Sequence, residues 1–75
     1  MTFRITPTTG DDGDALLIAG RLESEGLDEL ARAVAAAARP LTIDLGELRQ
    51  ADAAALAMLA RLEGSGIRIT GVSQY

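Results

Sequence analysis

The side chains best equipped for chemistry are two carboxylates, Glu23 and Asp52. Each follows a stretch that reads as a strand, so both stand at C-terminal strand edges. Paired carboxylates do acid–base work when their surroundings push their pKa values apart. Such a pair needs partners to complete it, and the chain has no His, no Cys and no Lys. Asp52 also has a structural task. It precedes an alanine-rich run, where a carboxylate accepts from the unpaired N–H groups of a first helical turn. No catalytic residue is assigned on these grounds. Asp11, Asp12 and Asp14 gather three acids in a short span, but the spacing of a calcium loop with its later Glu is missing. They read as a solvated hairpin tip. Gly64-Ser65-Gly66 follows a helix and precedes a strand, the reverse of the order a phosphate-cradling loop needs. It reads as a helix stop.

Composition narrows the function further. The chain has 75 residues, enough for one domain spanning 1–75. Its net charge is −4, with one Phe, one Tyr and no basic cluster. That argues against nucleic acid and against anionic membrane surfaces. Without Cys or His, thiol catalysis, disulfides and Cys- or His-ligated metals are excluded. No metal and no cofactor is expected. No apolar run approaches a membrane span and no signal-peptide pattern is present, so the chain is read as cytoplasmic. All seven basic residues are Arg.

The elements that must position Glu23 and Asp52 follow from periodicity. Thr2 to Thr6 alternates as a first strand that Pro7 ends, and Thr8 to Asp14 is a turn-rich loop. Ala15 to Leu22 is the most apolar strand, suited to a central place. Gly20 marks a close approach of another backbone. Leu27, Leu30, Ala31, Val34 and Ala38 follow helical spacing, with Arg39 favouring the last turn and Pro40 blocking continuation. Leu41, Ile43 and Leu45 alternate as a third strand. A polar turn then leads to Asp52 and a second helix, from about Ala53 to Glu63. Its buried stripe is Ala55, Leu56, Leu59 and Leu62, and Ala54, Ala57, Met58 and Arg61 face outward. Ile67 to Val72 is the fourth strand.

The order is β-β-α-β-α-β. Right-handed crossovers between sequential parallel strands put both helices on one face of the sheet. Thr42, Asp44, Arg68 and Thr70 then share the solvated face. The fold class is α/β, a four-stranded mostly parallel sheet whose first strand is antiparallel, with two helices on one face.

The stretch Ile43 to Leu56, "IDLGELRQADAAAL", resembles the central signature of STAS domains. That family includes anti-sigma-factor antagonists and the cytoplasmic domains of sulfate transporters. The family pattern is a strand ending in Asp-Leu, then Asp-Ser-Ser/Thr-Gly-Leu at a helix start. Asp44-Leu45, Asp52 and Leu56 match, while Ala53, Ala54 and Ala55 replace the small hydroxyl residues and the Gly. Gly20-Arg21-Leu22-Glu23 looks like the family's Gly-x-Leu-Asp segment, with Glu for Asp. The resemblance covers most of the chain, which stops where the family's next helix would begin, so it implies a C-terminally shortened variant. It also implies that the family's phosphoacceptor falls on Ala54, which cannot carry phosphate. The site is therefore a degenerate phosphosite.

From the resemblance, the expected function is a non-catalytic protein–protein interaction or scaffold module in bacterial signalling. Its partner would be an anti-sigma, kinase-like or other signalling protein. The expected partner surface is Glu23, Asp52, Ala54, Ala57, Met58 and Arg61. The alternatives are an accessory STAS subunit of an ABC transporter, a small nucleotide-binding regulatory module and a weak enzyme using Glu23 and Asp52. A homodimer is expected as well, because Ile67, Ile69 and Val72 would lack the cover of the missing helix. Burying ~300 Å² of apolar surface is worth roughly 7 kcal/mol before association costs.

Overall fold

A computed structural model describes residues 3–71. The elements run β1 (Phe3–Gly10), β2 (Gly13–Leu22), a 3-10 turn (Ser24–Gly26), α1 (Leu27–Ala36), β3 (Leu41–Ala51), α2 (Ala53–Gly64) and β4 (Arg68–Thr70). The strands lie in the order β1-β2-β3-β4. β1 pairs antiparallel with β2, and the β2–β3 and β3–β4 pairs are parallel. This is the β-β-α-β-α-β arrangement that the periodicity predicts.

One hydrophobic cluster holds it together. Leu16, Ile18 and Leu22 of β2, Leu41, Ile43, Leu45 and Leu48 of β3, and Ile67 meet Leu30 and Val34 of α1 and Ala55 and Leu59 of α2. Arg4, Thr6, Asp44 and Arg68 stay exposed between the buried strand positions. Both helices thus share the apolar face of the sheet.

Several details differ from the sequence reading. Pro7 does not end the first strand, which runs on to Gly10, with Pro7 opposite Leu16. β1 is an edge strand, so the N–H that Pro lacks is not missed by the sheet. The loop from Thr8 to Asp14 shrinks to the turn Asp11-Asp12 between the paired Gly10 and Gly13. α1 ends at Ala36, leaving Arg39 beyond its last turn. Ala33 and the C-cap Ala37 pack inward, whereas Ala31 and Ala38 are exposed.

The largest difference is in β3. Residues 46–51 are strand, not turn. From Leu17↔Asp44 to Leu22↔Ala51, β2 advances by five residues and β3 by seven. Two extra residues are therefore bulged into β3, at the shifts opposite Leu17/Ala19 and Gly20/Arg21. Each bulge lengthens the burial rhythm, which passes from Leu41, Ile43, Leu45 to Leu48 and half-buried Ala51. Gly20 lies beside the second bulge with φ 89, which explains the glycine by its backbone angle. Gly71, with φ 78, sits where any Cβ would lie 2.5 Å from the Gly46 nitrogen.

Ile67 is 3% exposed and needs no further cover. Its N–H donates to the Leu62 carbonyl at 3.2 Å, which seats it beneath the end of α2. Ile69 is half-buried. Val72 lies outside the described residues. The apolar surface expected to drive dimerisation through β4 is smaller than the alternation suggests.

Candidate partner-binding site

The β2–β3 register builds the site. Leu22 pairs with Ala51, so the next residues, Glu23 and Asp52, emerge side by side at one edge of the sheet. Asp52 is the N-cap of α2, with its Oδ1 accepting from the Ala55 N–H at 2.9 Å. Its Oδ2 accepts from the Ser24 N–H, also at 2.9 Å. Its own N–H donates to the Leu22 carbonyl at 3.2 Å. One residue thus ties the β2–α1 connection to the start of α2. The N-cap role is legible in the sequence; the bond to Ser24 is not, because it spans 28 positions.

These bonds define what the pair does. Each Asp52 carboxylate oxygen already accepts from a backbone N–H, so the group is built to hold two segments together. The Glu23 carbonyl accepts from the Gly26 N–H at 2.8 Å, closing the 3-10 turn. The Glu23 carboxylate lies 3.8 Å from Arg21 Nη2, with the Glu side chain 27% exposed. An ion pair this open orients side chains more than it stabilises the fold. Asp14 is occupied too, its Oδ2 accepting from the Ala38 N–H at 2.9 Å.

α2 rises from this edge. Ala54 occupies its second helical position and is exposed, as are Ala57 and Arg61. Those two continue the surface about 10 Å along the helix from Ala54. Met58 does not join them. It is half-buried and packs against the core, while Leu56, assigned to the buried stripe by spacing, is 43% exposed. The helix is rotated relative to the sequence reading. Ala55, Met58, Leu59 and Leu62 fall within an arc of about 100°, whereas Ala55, Leu56, Leu59 and Leu62 need about 120°. The narrower arc was the signal available in the sequence.

The rotation divides the outer surface of α2 into two flanks. Ala54, Ala57 and Arg61 span about 60° on one, and Leu56, Ala60 and Glu63 about 60° on the other. The second flank borders an apolar groove of about 220 Å³, lined also by Leu45, Leu48, Leu59 and Ile69. Sequence reasoning missed this groove, because its wall at Leu48 belongs to the bulged half of β3.

The sequence matches the family model described as Mlab, STAS domain, over residues 5–74. The chain belongs to the STAS domain family. STAS domains are generally non-enzymatic binding modules. A search of curated proteins found no match. No helix among the described residues is long and apolar enough to cross a membrane.

Proposed function

We propose that the chain is a non-catalytic protein–protein interaction module in bacterial signalling that works without a phosphorylation switch. Its partner docks on Glu23, Asp52, Ala54, Ala57 and Arg61. The observation that carries this reading is the start of α2. Ala54 is exposed on the helix beside a fully engaged N-cap, with a methyl where a switch needs a hydroxyl. Exposed Ala54 and Ala57 let a partner's backbone approach closely. Arg61 and Glu23 supply the polar rim that sets orientation. Met58, half-buried and packed against the core, borders this surface.

The test is site-specific cross-linking in the source organism. A photoreactive residue at position 57 should capture one discrete protein, and the same residue at position 68, on the opposite face of the sheet, should not. Capture of a kinase-like or anti-sigma protein supports the signalling role. Capture of a transporter ATPase would move the chain to an accessory subunit. Capture from position 68 alone would place the interaction face on the wrong side.

A further inference from the structure

We propose that the second flank of α2 receives an amphipathic helix of a partner protein, which inserts one large apolar side chain and sets a Lys or Arg against Glu63. This rests on the reading of the chain as an interaction module, but not on the Ala54–Ala57–Arg61 flank.

The groove's size selects the class of occupant. Small-molecule sites run from about 300 to 1,000 Å³. At about 220 Å³, this groove suits an anchoring side chain, the kind that dominates protein interfaces. Its walls are apolar, from Leu45, Leu48, Leu59 and Ile69. Leu56 stands at its rim, the one large hydrophobic residue exposed among the described residues. Beside it, Ala60 leaves room for a helix axis to come close.

Charge selects the neighbour of that anchor. Among the described residues, Glu63 is the only charged one lining the groove. It lies in the last turn of α2, where the helix dipole already concentrates negative charge and an anion is disfavoured. Arg61, two positions away, points to the other flank and does not face it. An acid placed against the local preference, at the lip of an apolar wall, is matched by a cation on whatever fills the groove. A second copy of the chain fits less well. It would bring its own Glu63 and its own net charge of −4 to the same rim.

The test is selection of binders from a displayed library of short helical peptides, against the wild-type chain and against Glu63→Arg. Wild-type binders should share a Leu, Ile, Met or Phe anchor with Arg or Lys within one turn of it. Against Glu63→Arg the anchor should persist and the neighbouring charge should invert to Asp or Glu. The best wild-type peptide should shift the methyl resonances of Leu45, Leu48, Leu59 and Ile69. It should bind Glu63→Arg at least about tenfold more weakly, as expected of a charge left facing its like. Ala57→Glu, on the other flank, should bind it within about twofold. Four outcomes overturn the proposal. They are no enrichment over an unrelated control protein, binders lacking the anchor, a charge preference that ignores Glu63→Arg, and a wild-type dimer in sedimentation that Leu56→Ser dissociates. If position 57 captures no partner while Glu63-dependent binders emerge, the other flank's reading fails and this one stands. The reverse pattern removes this one alone.

Discussion

α1 and α2 cover the same face of the same sheet, yet they meet solvent differently. α1 turns Asp28, Glu29 and Arg32 outward among its exposed alanines. α2 shows no charge over its first two turns, where Ala53, Ala54, Leu56, Ala57 and Ala60 are exposed and only Arg61 and Glu63 follow. The starts differ as well. α1 begins at Gly26, buried against the Phe3 ring with no side-chain cap, whereas α2 is capped by Asp52. Their cores are alike, with Leu30 and Val34 on one and Ala55 and Leu59 on the other. The contrast therefore lies in the outer faces. α1 presents charge to solvent, and the first two turns of α2 present none. On the proposed function, that uncharged face is the one a partner covers.

The largest test of that contrast compares two leucines. Leu30 of α1 is 0% exposed, while Leu56 of α2 is 43% exposed. Leu30→Ala should lower the unfolding free energy by about 3 kcal/mol, as for a buried leucine. Leu56→Ala should cost clearly less, about 1 kcal/mol, since nearly half of the side chain is already in solvent. Denaturant titrations of both variants measure this. Similar losses would mean that Leu56 belongs to the core and the outer face of α2 is smaller than described.

Asp52 comes next. Asp52→Ala removes a cap and the bond to Ser24 together, and should destabilise by about 2 kcal/mol. Asp52→Asn keeps an acceptor for one of the two N–H groups and should lose about half as much. Hydrogen exchange should show the Ser24 and Ala55 amides losing protection in Asp52→Ala. Protection retained at Ser24 would show that the clasp between the two connections does not depend on this carboxylate.

These sites also mark what the sequence makes legible. Large residues carry phase: Leu16, Ile18, Leu41, Ile43 and Leu45 place the strands, and their alternation puts both helices on one face. Alanine does not, because it is tolerated inside and outside. Ala31 and Ala38 for Ala33 and Ala37 are errors of that kind, and Leu56 for Met58 is an error of phase in a helix whose other positions are mostly alanine. The bulges in β3 hide six strand residues, since they break the period of two by which a one-faced strand is read. Asp52 as a cap was readable from its neighbours in the chain. Its hold on Ser24 required the register of β2 against β3.

The smallest effect concerns Ala54. Ala54→Ser should change stability by no more than about 0.5 kcal/mol, because the position is exposed. Incubated with ATP and a kinase that phosphorylates STAS domains, the wild-type chain should gain no phosphate by intact mass. Stoichiometric phosphate on Ser24, Ser65 or Ser73 of the wild type would show that a switch has moved and not vanished.

The most direct measurement inserts the same charge into each helix. Ala31 of α1 and Ala57 of α2 are both exposed alanines in mid-helix. Affinity for the protein cross-linked at position 57 should fall at least about tenfold for Ala57→Glu, since an unpaired charge buried at an interface costs roughly 2–5 kcal/mol. For Ala31→Glu it should stay within about twofold of wild type. If Ala31→Glu abolishes binding while Ala57→Glu binds like wild type, α1 carries the interaction surface and the reading of α2 is wrong.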